Sequence, residues 1–358
     1  MKHSTRERVL EDVARLSGAR LELAPFIDQA ERLLTRAIAH DGACWHTMDP
    51  ATLIETSFRT FDLPPLHERM AELEYLRDDY NKFNALARAH RHSGVLSEAT
   101  AGDLDRSTRY REVLRSAGVR GELRASFVIN GACWGCFVIF RQAPGDFSAQ
   151  ERDFAHDLAP ALASGVRAAL VCNGPPSIAA LLEPGLILLD AEQRVESFTV
   201  GARRWLAELG FTGEPARDPL PHSLHAVAAR VHGTDGDAIS RVRTTSGRWM
   251  VLQASAASGP DPGRAAIILQ SATPSSIAPL IAAAYEFTKR ERELTELVLQ
   301  GLATGDIASR LFISPHTVQE HLKSIFTKAG VRSRRDLVGK VFLRHYQPRI
   351  RPIEDRVV

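Results

Sequence analysis

The stretch that most constrains this chain is residues 287–346, which carries helix start and stop signals at short intervals. Thr288, followed three residues later by Glu291, forms a capping box that predicts the start of a helix. Gly301 is typical of the position just after a helix end. Ser314, followed directly by proline, predicts a further start. Several short, capped helices in succession predict a small all-α domain.

The helix predicted after Ser314 has two different faces. Its apolar residues recur at helical spacing and are expected to face the other helices: Val318, Leu322, Ile325 and Ala329. A second stripe carries hydrogen-bonding groups and no large apolar residue: His316, Gln319, Glu320, Lys323 and Thr327. A short helix before it, capped by Thr304 or Asp306, completes a helix-turn-helix pattern, whose second helix enters the major groove of DNA.

This stretch closely resembles the LuxR-type DNA-binding domain. The resemblance is carried by runs 287–293, 306–308, 313–322 and 328–334 together with Gly301, although Gln319 stands where this family usually has Lys. It implies sequence-specific binding of double-stranded DNA as a homodimer, with the third helix in the major groove and the fourth near the dimer interface. We expect the DNA contacts to come from Thr304, Ser314, His316, Thr317, Gln319, Glu320, Lys323, Lys328, Arg332 and Arg334. We expect the dimer interface to include Leu337, Val338 and Val341.

The charge distribution agrees with a DNA-binding domain at this place. Residues 288–346 hold eleven Lys or Arg against six Asp or Glu, a net +5, whereas the whole chain is only at +2. Phosphate neutralisation supplies most of the non-specific affinity for DNA. The alternative for this stretch is a helical bundle that packs without reading DNA.

Length and composition narrow the class of protein to which the chain can belong. A chain of 358 residues is expected to form two or three domains. Its four cysteines do not make a disulfide framework, and no apolar run approaches the ~20 residues that cross a bilayer. We therefore expect a reduced cytoplasmic protein.

Residues 1–172 predict an α+β sensor domain. Asn130-Gly131 lies between two apolar runs and is a strong hairpin signal, while Ser148 with Glu151 caps a long helix that ends near Val171. Helical segments are expected at 64–89 and 103–116, with charged residues such as Asp79 facing outward. This order resembles a GAF domain, which implies a small-molecule pocket between sheet and helices.

Residues 177–272 predict a second α+β sensor domain. Two strands come first, then helices at about 200–209 and 224–231, then three strands ending near Gln270. This order resembles a PAS domain. A linker helix at 273–287 joins it to the helix-turn-helix domain at 288–346, and residues 347–358 form a tail. No convincing internal repeat is visible.

The motifs that could indicate metal binding or redox chemistry are less specific than the DNA-binding pattern. Cys133 and Cys136 have CxxC spacing, with Cys44 and His46 as further metal-ligand or redox candidates. Residues three apart on a strand point to opposite faces, so we expect core cysteines, no catalytic residues, no metal site and no cofactor. His46 alone does not justify a ligand assignment.

The sequence therefore predicts a multidomain transcriptional regulator and not an enzyme. Its sensor domains are expected to bind a small-molecule effector or partner, and RNA polymerase is a candidate partner at the promoter. Two alternatives stay open: a sigma-like promoter-recognition factor, and a thiol redox enzyme built on the GAF-like domain. An enzyme of that kind needs at least one accessible thiol with a low pKa.

Overall fold

Two antiparallel five-stranded sheets and a C-terminal group of helices make up the computed structural model. It describes residues 2–63, 67–171, 182–232, 237–257, 263–285 and 287–338. The multidomain fold class predicted from the sequence, with two sheet domains before an all-α domain, is confirmed. The predicted 173–176 linker and the C-terminal tail lie outside the described residues.

The first sheet domain begins with two helices and ends with a long one. Its strands pair in the order β2-β1-β5-β4-β3. The strands are β1 (Gly42–Met48), β2 (Glu55–Phe61), β3 (Ser93–Val95), β4 (Val119–Ile129) and β5 (Ala132–Gln142). The helices are α1 (Lys2–Gly18), α2 (Leu23–Ala37), α3 (His67–Tyr75), α4 (Phe83–Arg88), α5 (Leu96–Ala99) and α6 (Ala149–Val171).

The local signals of this domain are confirmed. Asn130 and Gly131 have positive φ angles of 51° and 75°, as the tight turn between β4 and β5 requires. The Ser148 backbone NH donates to Glu151 Oε2 at 2.9 Å, and Glu151 NH donates to Ser148 Oγ at 3.3 Å. This reciprocal pair forms the predicted capping box at the start of α6.

Two predicted helices of the first domain are wrong as continuous elements. Residues 103–116 form a short 3₁₀ turn (Leu104–Arg106) and a π-helical turn (Tyr110–Leu114), and residues 64–89 contain two separate helices. The reason is a buried tertiary contact. Asp79, expected to face solvent, has a fully buried side chain that accepts from the Arg109 backbone NH at 2.6 Å. Such contacts override the local amphipathic pattern.

The second sheet domain follows the predicted order of two strands, helices and three strands. It contains β6 (Gly185–Leu189), β7 (Val195–Phe198), α7 (Val200–Glu208), α8 (His222–His232), β8 (Ala238–Arg243), β9 (Trp249–Ala256) and β10 (Ala265–Ser271). The strand order is β7-β6-β10-β9-β8. Counted within each domain, both sheets therefore have the order 2-1-5-4-3, a similarity of topology that the residues themselves did not reveal.

The C-terminal domain contains the capped helices predicted from the sequence. After α9 (Pro274–Ala284) come α10 (Lys289–Leu299), α11 (Thr304–Leu311), α12 (Pro315–Ala329) and a helix at 334–338. Their shared core contains Leu294, Ile307, Val318, Leu322 and Ile325. The Asp306 carboxylate caps α11 by accepting from Ala303 NH at 3.3 Å, while Thr304 lies inside the first turn.

The linker helix α9 packs against both sheet domains. Ile277 and Leu280 of α9 are buried in one apolar cluster with Val166 of α6 and with Trp249 and Val251 of β9. A shift between the two sheet domains would therefore alter the contacts of α9, the helix that leads into the C-terminal domain. None of the helices among the described residues is long and apolar enough to cross a membrane.

Candidate functional site

The turn into α12 sets the direction of the helix predicted to read DNA. Phe312 has a left-handed conformation, with φ 54°, and its side chain is 94% exposed. Ile313 NH returns to the Ala308 carbonyl at 3.0 Å and closes the end of α11. Ser314 Oγ then accepts from Thr317 NH at 3.0 Å, which confirms Ser314 as the N-cap of α12.

The two faces of α12 are separated as the spacing predicts. The apolar face is buried: Val318, Leu322, Ile325 and Ala329. The polar stripe is exposed along the whole helix: His316, Gln319, Glu320, Lys323 and Thr327. Of the other predicted contact residues, Ser314 and Arg332 are exposed, and Thr304 and Thr317 are half-buried. The structure thus brings a continuous row of hydrogen-bonding groups to one surface.

A buried carboxylate anchors this helix to α10. Glu291 is 3% exposed and accepts from Thr288 NH, Ser324 Oγ and Lys328 Nζ, each at 2.7 Å. Burial alone would raise the pKa of Glu291, but the hydrogen bonds from Lys328, Ser324 and Thr288 lower it to about 2. Glu291, which belongs to the capping box of α10, therefore also holds α12 against α10.

Two basic residues predicted to contact phosphate are engaged inside the domain. Lys328 forms the ion pair with Glu291, and Arg334 donates to the Leu302 carbonyl. Their charges remain near the proposed DNA surface, but their hydrogen-bonding groups are directed to the protein. Arg332 is exposed, as Lys328 is in spite of its ion pair.

The predicted dimer residues do not form one accessible face. Leu337 is 1% exposed and packs in the domain's own core, so its contact with a second copy stays a prediction that this burial does not favour. Val338 is partly buried against the same core, and Val341 lies outside the described residues. The described part of the fourth helix, residues 334–338, therefore packs within the domain.

The three described thiols are buried. Cys44, Cys133 and Cys136 are 7%, 2% and 0% exposed. Burial raises the pKa of each thiol, that of Cys133 to about 12. A thiol nucleophile needs the opposite environment, so the structure does not support the redox-enzyme alternative.

The expected separation of the CxxC cysteines is wrong. Consecutive residues of β4 pair with Gly135 and Cys133, so Trp134 has no partner across the β4–β5 ladder. This bulge reverses the alternation of the strand, and Cys133 and Cys136 both lie in the same apolar cluster.

The two sheet domains and the linker helix meet at one arginine. Asp49, fully buried after β1, accepts from the backbone NH and Nη1 of Arg241 on β8, both at 2.9 Å. Arg241 Nε also donates to the Ser276 carbonyl in α9. Asp49 and Arg241 are 192 positions apart, so no short-range sequence signal could have linked them.

The resemblance of the first domain to a GAF domain implied a small-molecule pocket between its sheet and helices, but the space found there is small. The cavity beneath its helices measures only about 50 Å³ and is lined in part by the buried ion pair of Arg124 with Glu74. A cleft of about 1070 Å³ instead lies between the sheet domains, with Phe58 and Ser57 on one side and Phe211 and Trp249 on the other. Organic ligands occupy sites of the larger size.

Comparison with known proteins identifies the C-terminal domain. Residues 286–341 match the family model described as bacterial regulatory proteins, luxR family. The spore germination protein GerE of Bacillus subtilis is 49% identical over 51 residues, which are 14% of this chain and 69% of GerE. The transcriptional regulatory protein UhpA of Escherichia coli is 40% identical over 55 residues, 15% of this chain and 28% of UhpA.

Other matches cover little of the relative or have low structural similarity. A putative HTH-type transcriptional regulator of Mycobacterium bovis is 49% identical over 53 residues, which span 15% of this chain but only 6% of that protein. Escherichia coli SdiA has a TM-score of 0.34 at 13% identity, covering 94% of this chain and 95% of SdiA. A GAF domain/HD domain protein from Geobacter sulfurreducens has a TM-score of 0.28 at 20% identity, covering 39% of this chain and 89% of that one.

These TM-scores are below 0.5, and the sheet domains are characterised by their own strand order. The C-terminal domain is different, since its helices, its caps and its match to most of GerE agree. The chain belongs to the luxR family of bacterial regulatory proteins.

Proposed function

We propose that this protein is a sequence-specific transcriptional regulator, in which the two sheet domains bind a small effector and control the C-terminal DNA-binding domain. The observation that carries the proposal is the exposed polar stripe of α12 on a luxR-family domain. Its partners would be duplex DNA, a second copy of the chain and RNA polymerase, and its place of action the cytoplasm.

The side chains of the stripe have the chemistry needed to read base edges. Lys323 can donate to guanine O6 and N7, and Gln319 can pair with adenine N6 and N7. The Glu320 carboxylate accepts a hydrogen bond well from cytosine N4. Arg332, exposed beyond the end of α12, is placed to contact phosphate.

The cleft between the sheet domains is the proposed effector site. It is lined from both domains and by Leu280 of α9, so a bound molecule would touch all three parts at once. Arg241 connects the same region to α9 through its contacts with Asp49 and Ser276. An effector would change DNA affinity only if it bound two arrangements of these parts unequally.

The proposal is tested by comparing two charge-removing variants of the full chain in fluorescence anisotropy with selected duplex DNA. Lys323→Ala should weaken specific binding by ~5- to 150-fold, the value of one good base contact. Arg204→Ala removes an exposed charge from α7 and should leave binding unchanged. Equal effects of the two variants, or no change with Lys323→Ala, would contradict the assignment of α12 as the reading helix.

A further inference from the structure

Three buried side chains with metal-ligating atoms converge where the two sheet domains meet. His46 lies on β1, Glu55 begins β2, and His222 begins α8 of the second domain. Glu55 Oε2 is 3.7 Å from His46 Nδ1 and 2.5 Å from His222 Nε2, and one ligand atom from each residue lies within 4.8 Å of the others. We propose that these residues form a binding site for a divalent transition-metal ion of the Zn²⁺ type, which ties the two sheet domains together.

The separations of these atoms suit a tetrahedral ion. Metal–nitrogen bonds of 2.0–2.1 Å place the ligand atoms of such an ion about 3.3 Å apart. The separation of 3.7 Å between Glu55 and His46 is close to this value, whereas Glu55 and His222 are hydrogen-bonded at 2.5 Å and would move apart by about 0.8 Å around an ion. Two imidazoles and one carboxylate match the ligand preference of Zn²⁺ and leave a fourth position for water.

The orientation of His46 agrees with a ligand role. Its Nε2 lies 3.2 Å from Cys44 Sγ, while its Nδ1 is on the side of Glu55. A metal-ligating histidine generally carries its proton on the other ring nitrogen and donates it to a neighbouring acceptor. In the tautomer with the proton on Nε2, Cys44 Sγ would be that acceptor, a weak one, and the buried thiol would support the ligand without being one.

The adjoining cavity is small, with room for an ion and a few waters. It measures about 50 Å³ and is lined by His46, Glu55 and His222 together with Glu74 and Arg124. One water needs ~10–15 Å³ of such volume. The cavity is thus suited to an ion with a few waters and is too small for an organic effector.

The buried charges around this cavity have an excess of carboxylates. Of the carboxylate and guanidinium groups that line it, Glu55 and Glu74 are two carboxylates against the single guanidinium of Arg124. Buried charges in proteins are paired or coordinate metal ions, and a divalent cation at Glu55 would supply the missing positive charge.

The proposed site is tested on the full chain, stripped with a chelator and dialysed against Zn²⁺ alone. We expect one tightly bound equivalent per chain by elemental analysis. His222→Gln and Glu55→Gln should each lower the affinity at least about tenfold. His225→Gln is the matched control, since His225 is also buried on α8 but lines the open clefts and not this cavity.

Absence of stoichiometric Zn²⁺ binding would overturn the proposal, as would equal loss of binding in the His225→Gln control. X-ray absorption of the Zn²⁺-loaded wild-type protein provides a measurement that does not depend on the folding of a variant. It should show only nitrogen and oxygen ligands, with the signature of two imidazoles. A sulfur ligand at about 2.3 Å would contradict the ligand set. Neither result depends on DNA binding, so the failure of this inference and of the proposed function are separable.

Discussion

Glu291 Oε2 lies 2.7 Å from Lys328 Nζ, so the carboxylate that caps α10 also holds the last turn of the DNA-reading helix. The same carboxyl group accepts from Ser324, one turn earlier on α12. Because both contacts are on the side of α12 that faces the domain, they leave the polar stripe accessible. One buried charge therefore helps to fix the orientation of α12, together with the apolar core.

This charge predicts an acid-dependent stability. The pKa of Glu291 is lowered to about 2, so its contribution is complete above about pH 5 and is lost as the pH falls through 2. Its full value is at most about 3 kcal/mol. In urea denaturation, Glu291→Gln should be less stable than wild type at pH 7, and the difference should shrink toward pH 2. The exposed Glu296→Gln on the same helix is the control, and a constant difference across pH would count against this role.

The salt dependence of DNA binding should separate Lys328 from Arg332. Arg332→Ala removes an exposed cation and should reduce the slope of log K against log salt by about one. Lys328→Ala removes a charge that is paired with Glu291, so the slope should stay near the wild-type value while the domain loses stability. A slope lowered by one in Lys328→Ala would show that Lys328 leaves Glu291 to contact phosphate.

Glu320 is expected to select a base. It is exposed in the middle of the stripe, and no hydrogen bond or ion pair of its carboxylate occurs among the residues that the structure describes. Glu320→Ala should relax the preference for one C·G pair in each half-site by ~1–3 kcal/mol, while non-specific affinity rises slightly. Affinities for every base at each position test this, and an unchanged preference profile would mean that Glu320 reads nothing.

The left-handed backbone conformation of Phe312 is expected to lower the free energy of unfolding of the domain. A side chain in the left-handed region costs roughly 1–2 kcal/mol, and at 94% exposure this one gains little from burial. Phe312→Gly should therefore raise the free energy of unfolding by about 1 kcal/mol, whereas Phe312→Ala, which keeps a Cβ, should not. Thermal denaturation of both variants checks this, and a loss of stability in Phe312→Gly would point to a packing role.

Local signals predicted much of the fold and of the DNA-reading surface. The caps at Thr288 and Ser314, the Asn130-Gly131 turn and the faces of α12 are set by neighbours in the chain, and each is found as expected. Interactions across long sequence separations were not visible. His222 and Glu55 are 167 positions apart, and no spacing rule connects them.

The same limit explains the individual errors. The bulge at Trp134 depends on how β5 pairs with β4, and it reverses the predicted facing of Cys133. Asp79 turns inward because Arg109 approaches it from a later segment. For Leu337 the dimer contact stays a prediction, because periodicity alone does not distinguish a residue of the domain's own core from one at a dimer interface.

Selection of the full chain against random duplex DNA tests the central claim most directly. If α12 reads DNA within a symmetric dimer, the enriched sequences should contain two inverted half-sites about one helical turn, ~10 bp, apart. Lys323→Ala selected in parallel should lose preference at one position of each half-site, whereas Arg204→Ala should enrich the wild-type motif. Enrichment of no motif, or of the same motif by Lys323→Ala, would contradict the account.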